Sequence, residues 1–166
     1  LSSVPLGNEI DHVREYLSVE SLRLEDQVQL TVDVDQRHAS MHVLKFLLQP
    51  LVENSVVHGI EDESMIHITI SARERDGYLT LQVSDDGRGI DAQSLARIHQ
   101  TLERTTALSD GLGPGNQGDL GRSSIGLANI HRRMRLSYGE QSGLTIESTP
   151  GESTVVTLLI PLGGAL

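Results

Sequence analysis

Two long stretches of the chain carry apolar residues at helical spacing, about every 3.6 positions. The first is Leu6–Leu24, where Pro5 suits the first turn of a helix. The second is Ala39–His58, for which Gly59 is a natural end. Pro50 lies inside the second stretch, so the sequence predicts a kink or a junction between two segments there.

Strict alternation of apolar and polar residues predicts the strands. Asp76-Gly77 lies between two of these alternating runs and is typical of a tight turn, so a hairpin is predicted. Pro150-Gly151 lies between the last two runs, which close the chain. The predicted strands are Val28–Val34, Ile66–Ala72, Leu79–Val83, Leu144–Glu147 and Thr154–Ile160.

Polar and glycine-rich segments connect the later elements. Ser84–Ile90 is predicted to be a turn rather than a strand, and Asp91 is a good N-cap for a helix that ends near Leu108. Residues 105–124 are rich in glycine and have no periodic face, which is typical of a functional lid or a disordered loop. Helical spacing returns over Ile125–Tyr138.

The predicted order is helix, strand, helix, hairpin, helix, long loop, helix and hairpin, so the strands come mostly as hairpins with helices between them. This order predicts an α/β fold, a two-layer α/β sandwich in which a mixed, mainly antiparallel sheet carries the helices on one face. No run of residues is apolar enough to cross a bilayer, and no signal peptide opens the sequence. Because the first residues resemble the middle of a polypeptide, we expect a soluble fragment of a larger protein.

Composition excludes several classes of function. The formal net charge is -10, whereas proteins that bind duplex nucleic acid usually present a basic face, so we expect no nucleic-acid partner. Cysteine is absent, which excludes disulfides, cysteine-ligated zinc and thiol nucleophiles. The single lysine, Lys45, is followed by Phe46, so a Walker A phosphate loop is excluded. A nucleotide would have to be held without that lysine.

A first polar segment lies within the second apolar stretch. Glu53, Asn54 and His58 are polar residues in an otherwise apolar helix, and the last two share one helix face because they are four positions apart. Their carboxylate, amide oxygen and imidazole could orient a water or a metal and contact an anion. They could equally be satisfied polar groups at the edge of a helix.

Two further segments combine glycine with hydrogen-bonding groups. Asp85 opens the run Asp85–Gly89, where two glycines let a ligand approach closely, and its carboxylate could accept a hydrogen bond from an amine such as adenine N6. In Ser123–Asn129 the glycine-rich segment meets a helix, whose free N–H groups could bind phosphate without a lysine. An ordinary Asp-Gly turn and a linker before a capped helix are the simpler interpretations.

Together, the order and spacing of these segments resemble the GHKL ATPase superfamily, named for gyrase, Hsp90, histidine kinases and MutL. Within it, the chain is most similar to the catalytic ATP-binding domain of LytS-type sensor histidine kinases, which implies a Bergerat-type ATP-binding fold. The matching stretches are Leu48–Asn54 with His58-Gly59 (N box), Asp85–Gly89 (G1 box), Ile125–Ile130 with Arg133 (G2 box), and an upstream helix with Pro5-Leu6, Glu9-Ile10, Tyr16-Leu17, Glu20 and Arg23.

The resemblance implies roles for individual residues. Asn54 would ligate Mg²⁺, Glu53 would be the polarising or general-base carboxylate, and His58 would lie near the phosphates. Asp85 would read the adenine amine. The other implied nucleotide contacts are Gly87, Gly89, Ile90, Ser124, Ile125, Gly126, Leu127, Asn129 and Thr154, the last of which would support the adenine-reading aspartate.

The resemblance also implies an activity, that of a two-component sensor histidine kinase. The domain would transfer the γ-phosphoryl group of ATP to a histidine outside this sequence. Residues 1–24 would lead in from the upstream dimerisation and phosphoacceptor region, residues 25–166 would form the ATP-binding domain, and residues 105–124 would be its ATP lid. Implied partners are ATP, Mg²⁺, the phosphoacceptor helix and a response regulator. The full-length protein would be a membrane-anchored homodimer with this domain in the cytoplasm.

Two other functions stay open. A GHKL-type ATPase or conformational clamp like gyrase or Hsp90 would use Glu53 to activate water for hydrolysis. A nucleotide-binding module without catalysis is suggested by Ser124 and Ser153, which stand where the family usually has glycine. His38 and His42, four positions apart, could also bind a metal at one helix edge.

Overall fold

In a computed structural model, the chain is described over residues 3–24, 27–59, 65–107 and 119–163. The helices and strands in these ranges are β1 (Ser3–Pro5), α1 (Leu6–Leu24), β2 (Val28–Asp33), α2 (Gln36–Ala39), β3 (His42–Leu44), α3 (Leu48–Gly59), β4 (Ile66–Arg75), β5 (Tyr78–Asp85), α4 (Ala92–Ala107), α5 (Asp119–Tyr138), β6 (Leu144–Thr149) and β7 (Ser153–Pro161).

Five strands form the main sheet, in the order β2-β4-β5-β7-β6. The β2–β4 pair is parallel and the other three pairs are antiparallel. Every second residue of β5 and of β7 is buried, so one face of the sheet is covered, and α1, α3, α4 and α5 pack against its strands. This architecture confirms the predicted two-layer α/β sandwich with a mixed, mainly antiparallel sheet.

The interior is built from aliphatic side chains, because the chain has few aromatic residues. Burying one such side chain completely contributes about 1.5–3 kcal/mol. Leu6 belongs to this core, so α1 packs with the rest of the fold. The largest fully buried side chains are Leu6, Leu47, Leu48, Leu51, Ile66, Ile68, Ile70, Leu79, Leu81, Ile98, Leu127 and Met134.

Local signals in the sequence predicted several elements correctly. The first helix has its predicted bounds, and the β4–β5 hairpin turns at Asp76 and Gly77, whose positive φ angles of 53° and 83° suit a tight hairpin turn. Asp91 caps α4, since its Oδ1 accepts the Ser94 N–H at 2.8 Å. Gly139, with φ 104°, follows the last residue of α5.

The helix predicted over residues 39–58 is wrong in its first half, because only Leu48–Gly59 is helical there. The preceding residues form β3, which pairs with β1 far earlier in the chain, so local periodicity could not reveal this strand. Phe46 adopts a φ of 60°, a left-handed conformation that separates β3 from α3. Pro50 lies in the first turn of α3, where its missing N–H costs little. Helix α3 runs through Pro50, so the junction lies before Leu48 and the kink or junction predicted at this proline is wrong.

The loop predicted over residues 105–124 is wrong at both ends. Helix α4 continues to Ala107 and α5 begins at Asp119, while residues 108–118 lie outside the described residues. Lengthening a helix gains a hydrogen bond for each residue fixed, so a helix anchored by a buried face extends into adjoining polar sequence. The predicted turn from Ser84 is also shorter, because Ser84 and Asp85 end β5.

Candidate functional site

Asp85, the last residue of β5, is a buried carboxylate with 6% of its surface exposed. Its Oδ1 accepts the Gly87 N–H at 2.9 Å, and the Ser55 side chain of α3 also hydrogen-bonds to it. Burial raises the pKa of Asp85 above its ordinary value, while these two hydrogen bonds lower it and the neighbouring Asp86 raises it further. The contacts fix the carboxylate where the strand ends and join α3 to the sheet.

Polar side chains continue across the sheet from Asp85. The register places Thr154 of β7 opposite Asp85 and Ser148 of β6 opposite Thr154. Ser148 Oγ lies 2.8 Å from Thr154 Oγ1, donates to the Ser153 carbonyl at 2.7 Å and accepts the Ile90 N–H at 2.8 Å. Thr154 therefore lies beside Asp85, and Ser148 ties it to the loop after β5.

Ser148 was missed by the sequence reasoning because no chemical motif contains it. A usable signal was present, however, in the hairpin predicted around Pro150-Gly151. Counting back from Thr154 across that turn places Ser148 opposite it, as the register shows. The register of the predicted hairpin therefore indicates that Ser148 lies beside Thr154.

The loop after β5 packs tightly against the turn between β6 and β7. The Gly151 N–H donates to the Arg88 carbonyl at 2.6 Å. Gly89 has a φ of 71°, and a Cβ at this position would lie 2.3 Å from the Thr149 carbonyl oxygen. Only glycine fits there, so the second glycine of the predicted G1 box has a clear local reason. Ile90 is buried at the end of this loop.

Helix α3 presents the polar residues of the first predicted segment. Glu53 is half-buried and its Oε1 accepts a hydrogen bond from Gln49 Nε2 at 3.0 Å. Asn54 Oδ1 is buried and has no hydrogen-bond partner in the part of the chain that is described. The backbone of His58 lies on the same helix, whereas its side chain is outside the described residues.

The unpartnered oxygen of Asn54 bears on the predicted metal. A buried polar atom without a partner costs about 1–3 kcal/mol, so such an atom is available to a ligand. Amide and carboxylate oxygens are the donors that a hard cation such as Mg²⁺ accepts. The residues present therefore fit a magnesium ion at Asn54.

Helix α5 carries the third predicted segment and packs against α3 and β7. Leu127 is buried in the core and Asn129 is exposed. Outside its own helix backbone and chain neighbours, a Cβ built on Gly126 would meet no atom of the described residues within 4 Å. Ile125 is half-buried, and the side chain of Ser124 lies outside the described residues.

One expectation about α5 needs correction. The segment from Ser123 was expected to open a helix with free N–H groups, but α5 begins earlier, at Asp119. In a regular helix only the first four N–H groups lack an internal partner. The N–H groups of residues 125–127 are therefore inside the helix in this conformation.

The two remaining histidines considered for a metal are not arranged as expected. His38 lies on α2 and His42 on β3, so they do not share a helix edge, and that prediction is wrong. His38 Nε2 instead lies 3.1 Å from Glu74 Oε1. Among the described residues, no three His, Asp or Glu side chains lie close enough together to hold a metal ion between them. None of the described helices is long and apolar enough to span a bilayer.

Comparison with known proteins agrees with this arrangement. Residues 39–164 match the family model described as "Histidine kinase-, DNA gyrase B-, and HSP90-like ATPase". The chain is 28% identical over 160 residues to an uncharacterized sensor-like histidine kinase of Staphylococcus epidermidis and 26% identical to the sensor protein kinase HptS of Staphylococcus aureus. Each alignment covers 96% of this chain and 28% of the relative, so the chain spans little more than a quarter of their length.

Solved structures show the same fold. The catalytic domain of histidine kinase ThkA superposes with a TM-score of 0.64 at 15% identity, covering 96% of this chain and 94% of that one. The histidine kinase domain of a blue-light activated kinase from Erythrobacter litoralis superposes with a TM-score of 0.58 at 18% identity, covering 96% and 62%. At these identities the likeness supports the fold.

Proposed function

We propose that this chain, which belongs to the family of histidine kinase-, DNA gyrase B- and HSP90-like ATPases, is the ATP-binding catalytic domain of a two-component sensor histidine kinase. One observation carries the proposal. The buried carboxylate of Asp85 is held by Ser55 of α3 and by the Gly87 N–H, and it lies opposite Thr154. This is the arrangement expected of a group that recognises the amine of the adenine base.

Asp85 would accept a hydrogen bond from the adenine amine. Burial strengthens that bond because little water competes for the carboxylate. The Gly87 N–H and the Ser55 side chain hold the carboxylate in one orientation, so little ordering is needed when the base binds. Gly89 and Ile90 follow in the loop that packs on the β6–β7 turn, where they would form the floor beside the base.

Asn54 would hold a magnesium ion through its unpartnered Oδ1. When bound, Mg²⁺ neutralises phosphate charge, which a chain of net charge -10 would otherwise repel. Glu53 lies beside Asn54 on α3, and its carboxylate, which accepts a hydrogen bond from Gln49, would polarise the acceptor histidine. His58 would lie near the phosphates.

The reaction would move the γ-phosphoryl group from ATP to a histidine elsewhere in the full-length protein. The bond between the γ-phosphorus and the bridging oxygen breaks, and ADP leaves with that electron pair. A bond forms between the phosphorus and an imidazole nitrogen, and Glu53 accepts the proton that the imidazole loses. Catalysis of this kind depends mainly on positioning and on charge neutralisation.

Residues 105–124 would act as the ATP lid, and the phosphates would approach α5 near Ser124, Ile125, Gly126, Leu127 and Asn129. The space at Gly126 supports an approach from that side, because a Cβ built there would meet none of the described side chains within 4 Å. The N–H groups of residues 125–127 lie inside α5, so their use would require the helix to unwind upstream of Gly126.

The wider setting also belongs to the proposal. The names of the relatives support a sensor kinase. Its phosphoacceptor helix, its response regulator and its dimer interface would lie outside this sequence. Residues 1–24 would lead in from that region as the upstream helix that the LytS-type resemblance implies, and the helix over Leu6–Leu24 is consistent with this. The domain would lie in the cytoplasm, where ATP is available.

Calorimetry with Mg-ADP tests nucleotide binding. We expect Asp85→Asn to bind at least about tenfold more weakly than the wild type, because a hydrogen bond to a charged group contributes about 1.5–3 kcal/mol. Asp86→Asn is the matched control, since Asp86 is exposed and its Oδ1 accepts the His67 N–H. A wild type that gives no binding heat, or equal losses in both variants, contradicts the proposal.

A phosphorylation assay on the full-length protein tests the proposed phosphoryl transfer. Incubation with γ-labelled ATP should give an acid-labile phosphohistidine that disappears in Asn54→Ala. Release of labelled phosphate without any phosphohistidine would instead identify an ATPase or clamp. Nucleotide binding with neither product would identify a binding module without catalysis.

A further inference from the structure

The start of helix α3 has an unusual cap. Phe46 and Leu47, which precede the helix, have no side-chain oxygen, so no local residue can accept its first N–H groups. Glu9 of α1 takes this place. Its Oε1 accepts the Leu47 N–H at 2.8 Å and the Leu48 N–H at 3.4 Å, and the residue is only 2% exposed. A carboxylate at the positive end of a helix is also electrostatically favourable.

The segment just before Glu9 is paired with the segment that leads to α3. Strand β1 pairs with β3 in antiparallel register, from Ser3 opposite Leu44 to Pro5 opposite His42. The Leu6 N–H then donates to the Met41 carbonyl at 2.8 Å. Glu9, in the first turn of α1, contacts the start of α3 separately from this pairing. Two independent sets of contacts therefore join residues 3–9 to the segment that begins α3.

Helix α5 contacts the loop that joins β3 to α3. Arg133 donates to the carbonyls of Lys45 and Phe46, the latter at 3.2 Å, and the Leu44 N–H donates to the Tyr138 hydroxyl at 3.1 Å. Phe46 keeps its positive φ between these contacts. These contacts hold the loop, whereas Glu9 contacts the helix itself.

We propose that Glu9 is a positioning residue for the nucleotide site, an inference that rests on the function proposed above. Besides its buried apolar side chains, helix α3 has two polar attachments, Glu9 at its start and the bond between Ser55 and Asp85 further along. Asn54 and Glu53 lie between these attachments. Without Glu9, the first turn of α3, which carries Gln49, loses its cap, and the side chains of Glu53 and Asn54 are held less firmly relative to Asp85.

The proposal predicts a selective loss. Asp85 stays on β5 whatever happens to the start of α3, so binding of the base should persist. The contribution of Mg²⁺ depends on Asn54 and should fall. A variant that merely destabilised the fold would weaken nucleotide binding in the presence and in the absence of the metal alike.

The experiment compares ATP affinity of the full chain by calorimetry, once with Mg²⁺ and once with EDTA. In Glu9→Ala we expect the gain in affinity from Mg²⁺ to fall about tenfold, the size of effect seen when the support of a metal ligand is removed. The affinity in EDTA should stay within about twofold of the wild type. Glu9→Gln keeps an acceptor oxygen and should retain most of the gain. Glu15→Ala removes the same charge from an exposed position of α1 and should match the wild type.

Hydrogen exchange gives a readout without nucleotide. The amides of Leu47 and Leu48 should exchange faster in Glu9→Ala than in Glu15→Ala. If Glu9→Ala does not fold, Glu9→Asp replaces it, because the shorter carboxylate withdraws from both amides and should lower the Mg²⁺ gain in the same direction.

The outcomes separate the two proposals. An unchanged Mg²⁺ gain, or equal losses with and without Mg²⁺, overturns the role of Glu9 and leaves the proposed function standing. A wild type whose ATP affinity does not depend on Mg²⁺ overturns the metal site and the role of Glu9 together.

Discussion

Ser148 offers a sharp test of how the site is held together, because three hydrogen bonds meet at one hydroxyl. The perturbation is Ser148→Ala, which removes the acceptor of the buried Ile90 N–H and the contacts with Thr154 and with the Ser153 carbonyl. No larger group is introduced, so the change in stability reports the lost hydrogen bonds.

The magnitude follows from these contacts. An ordinary hydrogen bond contributes about 0.5–1.5 kcal/mol net, and a buried donor left without an acceptor costs about 1–3 kcal/mol. The Ile90 N–H would be such a donor. At the lower ends of these ranges, two ordinary hydrogen bonds and one unpaired donor predict a loss of about 2 kcal/mol, which is a large part of the stability of an ordinary domain, about 5–15 kcal/mol.

Urea denaturation measures this loss directly. With a typical slope of about 1–3 kcal/mol per molar urea, a loss of about 2 kcal/mol should lower the midpoint by about 0.7–2 M. Thr145→Ala is the control, because Thr145 is an exposed residue of the same strand and should change stability by about 0.5 kcal/mol or less. Equal midpoints for the two variants would refute the reasoning.

Two further predictions concern the same region of the sheet. His131 is buried and its Nδ1 accepts the Leu144 N–H at 2.9 Å, and burial, assisted by Arg135, lowers the pKa of His131 below its ordinary value. In the unfolded chain His131 has its ordinary pKa of about 6.5 and binds a proton more readily than in the folded protein. The contribution of neutral His131 to the free energy of unfolding should therefore be complete above about pH 6.5 and fall as the pH drops below it. Denaturation midpoints should show a smaller pH dependence in His131→Gln. Gly89→Ala should lower the thermal midpoint and weaken Mg-ADP binding, because its Cβ would collide with the Thr149 carbonyl; a variant with wild-type values for both would contradict this.

The fold was predictable where neighbouring residues decide the structure. Helix α1, the β4–β5 hairpin and the cap at Asp91 depend on spacing, on a turn pair and on one side chain close in sequence. The polar residues of α3 and of the loop after β5 could be identified for the same reason. Their polar side chains stand close together in short segments of the sequence, where they can be identified without knowledge of the fold.

The parts that were not predicted depend on distant partners. Strand β3 exists because β1 pairs with it, and α3 begins at Leu48 because Glu9 accepts its first amides. Ser148 gains its importance only when the sheet places it opposite Thr154. None of these partners is near in sequence, so neither periodicity nor a short motif could indicate them.

The parallel pairing of β2 with β4 has a kinetic consequence. Hairpins such as β4–β5 and β6–β7 close through local contacts and form early, whereas a parallel pair needs a long crossover and forms late. Helix α3 lies within that crossover. During folding, the Ser148–Thr154 side of the site would therefore be in place before Asn54 arrives, so a partly folded chain would hold half of a site that cannot yet bind the metal.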